Sequence, residues 1–82
     1  FVSVIIPMRN ESGYIGACID SVFEQDYPGR FELIVVDGDS DDDSPQTLAA
    51  YGDRIRVFQN PKRIVPTAMN IGIRAARGEI IM

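Results

Sequence analysis

No histidine occurs anywhere in the 82 residues. That absence removes imidazole acid–base catalysis, Ser-His and Cys-His nucleophile pairs and histidine metal sites together. Cysteine is nearly missing as well. Cys18 stands alone, so an internal disulfide framework is excluded and the redox compartment is left open. No apolar run approaches the ~18 residues of a membrane span, and no charged-then-apolar signal segment opens the chain. An excess of positive charge is also lacking. Eight Lys plus Arg face twelve Asp plus Glu, a net charge of −4, whereas a nucleic-acid surface needs a basic stripe. Two glycine patterns are absent too. Without G-x-G-x-x-G after the first strand, or G-x-x-x-x-G-K-[ST] anywhere, any phosphate must be met by basic side chains or a metal.

What is present is globular. Hydrophobic residues make up 45% of the chain and charged residues 24%, which sets it apart from disordered sequences. A chain of this size buries roughly 60–65% of its unfolded surface, so it forms one small domain of modest stability. It opens on Phe1 and closes on the apolar Ile80-Ile81-Met82, where natural domain ends are usually polar. It therefore reads as a piece of something longer.

The periodicity alternates between strand and helix. Val2-Ser3-Val4-Ile5-Ile6 is a β-branched run ended by Pro7 and reads as a buried strand. After a polar loop from Met8 to Ser12, the residues Ile15, Cys18, Ile19, Val22 and Phe23 recur at helical spacing, with Ser12 as the expected N-cap. Cys18 falls on this apolar face and reads as a small core residue. Asp26-Tyr27-Pro28-Gly29 is turn chemistry. A second strand follows in Phe31-Glu32-Leu33-Ile34-Val35-Val36. Ser44-Pro45 then suggests an N-cap with proline at the first helical position, for a short helix through Leu48 that stops by Gly52. Ile55, Val57 and Phe58 mark a third strand ended by Asn60-Pro61. A third helix starts at Pro66, with Ala68, Ile71 or Gly72, and Ala75 or Ala76 facing inward; Gly78 is expected to cap it, and Glu79 to Met82 begins a fourth strand. The order βαβαβαβ with short connections predicts an α/β fold, a parallel sheet flanked by helices.

In such sheets ligands bind outside the C-terminal strand ends. Three loops fall there: Pro7 to Ser12, Asp37 to Asp43, and Asn60 to Val65. The second carries five of the twelve acids in seven residues, and the third carries Lys62 and Arg63. Acids that accept hydrogen bonds from a base or ribose, beside cations that face phosphates, suit a nucleotide. Arg9 adds a planar guanidinium able to stack on a base. Duller readings stand beside this one. Asp favours turns and helix N-termini, and Lys62-Arg63 and Arg9 also read as ordinary solvated charges. An EF-hand is excluded. Asp37, Asp39 and Asp41 match its start, but Asp42 and Leu48 stand where Gly and Glu are required.

Four segments, in this order and spacing, resemble the GT-A-fold glycosyltransferases of family 2 across essentially the whole chain. They are Val2 to Pro7 with Asn10-Glu11; Ser21-Val22-Phe23-Glu24-Gln25-Asp26-Tyr27-Pro28; Glu32-Leu33-Ile34-Val35-Val36-Asp37-Gly38-Asp39-Ser40-Asp41-Asp42; and Ala68-Met69-Asn70-Ile71-Gly72-Ile73 with Ala76-Arg77-Gly78-Glu79-Ile80-Ile81. Within the family, Asn60 to Ala68 is similar to bacterial exopolysaccharide enzymes of the succinoglycan type.

The resemblance implies an inverting transferase that uses a nucleotide-sugar donor, usually a UDP-sugar, and a glycan or lipid-linked acceptor. It implies that the parent works in the cytoplasm, at the cytoplasmic face of the inner membrane. It points to Pro7, Arg9 and Glu11 around the base, to Asp37 for base or ribose, and to Lys62 and, after it, Arg63 near base and diphosphate. The family's Asp-Asp-Gly-Ser is here Asp37-Gly38-Asp39-Ser40, so Asp37 or Asp39 takes the place of its second Asp. Lys62 stands where many members have Gly.

The family's Mg²⁺ or Mn²⁺ is held by a D-x-D after the fourth strand, expected downstream of Met82, and Asp37-Gly38-Asp39 is a decoy for it. Residues 1–82 are then the truncated nucleotide-sugar-binding part, expected to transfer no sugar alone and to bind nucleotide weakly at most. They are also expected to associate through the Glu79–Met82 strand edge, because Ile80 and Ile81 end on an unpaired side. Two competing readings remain: a nucleotidyltransferase of similar fold, which would want a Gly-rich, Arg-bearing loop after the first strand, and a non-catalytic acidic α/β module that binds a metal or regulates.

Overall fold

The computed structural model describes residues 1–25 and 30–81, with the backbone alone at 81. The expected turn at Asp26-Tyr27-Pro28-Gly29 lies outside them. Eight elements follow one another: β1 (Val2–Met8), α1 (Ile15–Glu24), β2 (Phe31–Asp37), α2 (Ser44–Ala49), a single 3₁₀ turn (Gly52–Arg54), β3 (Arg56–Gln59), α3 (Val65–Ala75) and β4 (Glu79–Ile81). All strand pairings are parallel, in the order β3-β2-β1-β4. The expected α/β class and parallel sheet are observed.

Burial explains the strand patterns. β2 lies between β1 and β3 and is buried without a break from Leu33 to Asp37, hence its continuous apolar run. β3 lies at an edge, and its residues alternate between half-buried and exposed. Side chains from the two sheet faces form two cores. Val4, Leu33 and Val35 pack with Ile15 and Ile19 of α1 and Leu48 of α2. On the other face, Ile5, Ile34 and Val36 pack with Ala68 of α3. The chain winds outward from β1 through β2 to β3, then α3 carries it back across the opposite face to β4 beside β1. Strand order therefore reverses between β1 and β4, the switch at which open α/β sheets form a ligand crevice.

Gly72 sets how closely α3 approaches the sheet. A Cβ there would lie 2.5 Å from Cγ2 of Ile5, a stiff β-branched side chain with little room to yield.

Several local expectations are corrected. β1 does not stop at Pro7 but runs to Met8, because its parallel pairing with β2 continues through Pro7 opposite Val36 to Met8 opposite Asp37. Ser12 does not cap α1. Tyr14 occupies that position, while the Tyr14 and Ile15 amides both donate to the Glu11 carbonyl (2.9 and 2.8 Å). Cys18 is exposed rather than core. Ile15, Ile19, Val22 and Phe23 already form a complete stripe, and at 3.6 residues per turn Cys18 sits about 90° from its centre. Ser44 is the first residue of α2, with Asp43 before it at the cap, because the Ser44 hydroxyl is turned inward to another loop. Gly78 does not cap α3, which ends at Ala75 with an extended Ala76. It is instead a point of close approach, since a Cβ there would meet the Phe1 carbonyl oxygen at 2.7 Å.

Candidate functional site

The three loops that leave β1, β2 and β3 meet at one edge of the sheet and are tied to each other. The Gly38 amide donates to the Met8 carbonyl (2.7 Å), and the Asn60 amide donates to the Asp37 carbonyl (2.8 Å). Gly38 stands where all three loops converge. A Cβ there would lie 3.3 Å from the Met8 carbonyl oxygen, 3.4 Å from the Arg9 side chain and 3.5 Å from Arg63 Cα. This crowding gives a physical reason for glycine at the position where the resemblance expects an aspartate.

Asp37 anchors a chain of hydrogen bonds between the first two loops. It is 1% exposed, and its Oδ1 accepts from the Ser40 amide (3.1 Å) and hydroxyl (2.5 Å). The Ser40 hydroxyl oxygen accepts from the Asn10 amide, and Asn10 Oδ1 accepts from the Asp41 amide. Beside this chain, the Glu11 amide donates to Ser44 Oγ, and the Ser12 and Ser44 amides donate to the Asp42 carboxylate. The cluster of acids is thus largely an instrument for folding two loops together.

The Ser44 side chain, opposed by some desolvation and helped by the Ser44 and Ser12 amides, holds the Asp42 carboxyl down at about 2. A carboxyl lowered from its ordinary 3.8 supports the loops fully above that value and loses its effect as pH falls through about 2. The protection of the Ser12 and Ser44 amides, measured against intrinsic exchange at each pH, should therefore fall as pH drops between those two values. In Asp42→Asn the same amides should exchange fast throughout, with no step in that window.

Among the described residues, three non-glycine residues have left-handed backbones: Asn10 (φ 53°), Asp39 (φ 59°) and Arg63 (φ 65°), one in each loop. Asn and Asp tolerate this region, but Arg63 does so at a cost, and such strain gathers at functional sites. Asp39 and Arg63 face each other. Arg63 Nε and Nη2 both donate to Asp39 Oδ2 (3.0 and 2.7 Å), in a half-exposed pair that spans the second and third loops.

Under this pair lies a cleft of about 220 Å³. Of the residues expected at the site, Pro7, Arg9, Glu11 and Arg63 line it. Asp37 lies beneath, and Asp39 reaches it only through Arg63. Lys62 is exposed in the third loop and does not line the cleft. Asn60, which reads in the sequence only as a strand terminator, does line it and is 1% exposed. Its place at the C-terminal end of a strand is the one signal that marks it beforehand. Among the described residues no group of three or more His, Cys, Asp or Glu is arranged to hold a metal ion. The residues present do not fit a metal site, and Asp37-Gly38-Asp39 directs one carboxylate inward and the other to Arg63.

Charged loops at the C-terminal ends of the parallel strands β1, β2 and β3 thus close around a cleft, the place where open α/β sheets bind their ligands. The profile described as "Glycosyl transferase family 2" matches residues 3–82, and the chain belongs to that family. A Methanococcus voltae protein, dolichyl N-acetyl-alpha-D-glucosaminyl phosphate 3-beta-D-2,3-diacetamido-2,3-dideoxy-beta-D-glucuronosyltransferase, is 34% identical over 88 residues, covering 100% of this chain and 27% of its own length. Glycosyltransferase GlyG of Streptococcus pneumoniae is 34% identical over 84 residues, covering 98% of this chain and 28% of its own. Among solved structures, mannosyltransferase PcManGT from Pyrobaculum calidifontis, in complex with GDP-Man and Mn²⁺, superposes with a TM-score of 0.84 at 32% identity, over 96% of this chain and 25% of that one. TarS 1-349 of S. aureus in complex with UDP-GlcNAc gives 0.82 at 30%, over 98% and 25%. The chain spans about a quarter of the length of these relatives. No helix among the described residues is long and apolar enough to cross a membrane.

Proposed function

We propose that this chain is the donor-binding part of a glycosyltransferase that moves a sugar from a nucleoside diphosphate, a UDP-sugar, to a glycan or lipid-linked acceptor. The observation that carries the reading is the cleft, where Pro7, Arg9 and Glu11 at the end of the first strand meet Arg63 from the loop after the third, in a family 2 chain. Relatives crystallised with GDP-Man and with UDP-GlcNAc support a nucleotide-sugar ligand, and the name of the Methanococcus relative supports a lipid-linked acceptor.

In this reading Pro7, Arg9 and Glu11 surround the base. Asp37 holds the acidic loop in place, with Asp39 exposed beside it. Arg63, with Lys62 next to it, meets the diphosphate once phosphate oxygens displace the Asp39 carboxylate. A divalent ion would neutralise the departing diphosphate when bound. Its ligands and the general base belong to sequence outside this chain.

Isothermal titration of the full-length protein with UDP, GDP and inorganic pyrophosphate tests the proposal. UDP should bind most tightly, and Arg63→Ala should weaken UDP and pyrophosphate by a similar factor. Absence of UDP binding at millimolar concentration by the folded protein would overturn it.

A further inference from the structure

Two buried polar atoms of cleft residues have no hydrogen-bond partner: Asn60 Oδ1 and Arg9 Nε. They are chemically opposite, one an acceptor and the other a donor. The orientation of the Asn60 amide is fixed, because its Nδ2 donates to the Ile64 carbonyl at 2.9 Å. Flipping it would set two oxygens against each other, so Oδ1 is left as an acceptor in need of an N–H or O–H. Leaving such buried groups unpaired is costly, so their persistence in a native site asks for an explanation.

We propose that Asn60 and Arg9 read the uracil edge of the donor: Asn60 Oδ1 accepts a hydrogen bond from the ring N3–H, and Arg9 Nε donates one to a neighbouring carbonyl. This rests on the nucleotide-sugar reading above and adds to it the residues that choose the base. An imide N–H flanked by carbonyls supplies both missing partners at once. Cytosine instead presents a bare ring nitrogen, whose lone pair opposes that of Oδ1. Both protein atoms are closed off from solvent in the ligand-free arrangement. On this proposal the ligand gains access by displacing the half-exposed Arg63–Asp39 pair, which ties the second and third loops together. Such a pair is weak in water and is readily exchanged for phosphate.

The test is titration of the full-length protein, wild type and Asn60→Ala, with UDP, 3-methyl-UDP, CDP and pyrophosphate. Wild type should lose about tenfold in affinity or more when N3 is methylated, or when UDP is replaced by CDP, the effect of one buried hydrogen bond. Asn60→Ala should bind UDP and 3-methyl-UDP alike and keep the wild-type affinity for pyrophosphate. A wild type that binds UDP but ignores methylation overturns the inference and leaves the nucleotide reading standing, and this arm needs no variant. Equal weakening of UDP and pyrophosphate in Asn60→Ala would make the residue merely structural and would also overturn it. If no UDP binds at all, the nucleotide reading fails and this inference with it.

Discussion

Replacing Glu32 with alanine should lower the stability of this chain by about 2–4 kcal/mol. Glu32 is the second residue of β2, at the end of the sheet opposite the cleft, and its carboxylate collects donors from three directions. Oε2 accepts from the Ser3 hydroxyl of β1 (2.6 Å) and from the Arg77 amide just before β4 (2.8 Å), and Oε1 accepts from Arg56 of β3 (2.8 Å). Arg56 also donates to the Ala75 carbonyl at the end of α3, and Ser3 Oγ accepts from the Gly78 amide. One side chain thus joins β2 to β1, to β3 and to the segment that leads into β4. Its loss leaves Ser3, which is fully buried, and the arginine, 29% exposed, without their acceptor.

Burial pushes the Glu32 carboxyl up, but the Ser3, Arg77 and Arg56 donors outweigh it and hold the group below the ordinary 4.5. Its support is therefore complete above that value and fades as pH falls below it. Urea midpoints at neutral pH and near pH 3 check both points. The gap between wild type and Glu32→Ala should narrow in acid, whereas an unchanged gap would show that packing rather than charge carries the effect.

Alanine at Asp37 should weaken UDP binding by about tenfold and cost about 1–3 kcal/mol of stability, figures appropriate to a buried acceptor with two hydrogen bonds. The effect on the nucleotide is indirect. Asp37 does not line the cleft but fixes Ser40, which fixes Asn10, so its removal should loosen the first two loops around it. Asparagine keeps an acceptor oxygen for Ser40 and should retain most of the affinity. If Asp37→Asn is as damaging as Asp37→Ala, the carboxylate charge itself meets the ligand, and the positioning account fails. Titration of both variants with UDP, next to their thermal unfolding, separates these outcomes.

How much of the site could be read beforehand differs residue by residue. Pro7, Arg9 and Glu11 were legible because a loop after the first strand of such a sheet faces the ligand edge, and they line the cleft. Lys62 was expected at the site ahead of Arg63, yet of the two only Arg63 lines the cleft. The left-handed turn at Arg63 directs it across to Asp39, a partner 24 residues away. Asn60 was legible only by its place in the loop after the third strand. Asn-Pro after a strand reads as turn chemistry, and burial of an amide with one satisfied and one unsatisfied end is invisible without its neighbours. Cys18 misled for the converse reason: helical spacing places it on the apolar side, but the width of the buried stripe is set by what packs against the helix.

The order of strands and helices, the apolar positions of both cores and the charged loops at one sheet edge were determined by the sequence alone. These features depend on periods of two and 3.6 residues and on turn chemistry, all local to a few positions. The tertiary structure decided the strand order β3-β2-β1-β4, with its reversal beside β1, and the role of each acid. Asp37 turns inward, Asp39 pairs with Arg63, Asp42 braces two amides, and Glu32 holds the far end of the sheet. A carboxylate in sequence is only an acceptor. Whether it serves a ligand, a cation or the backbone is settled by which donors the chain crossings bring within three ångströms or so, and those donors lie up to 45 residues away, as between Glu32 and Arg77.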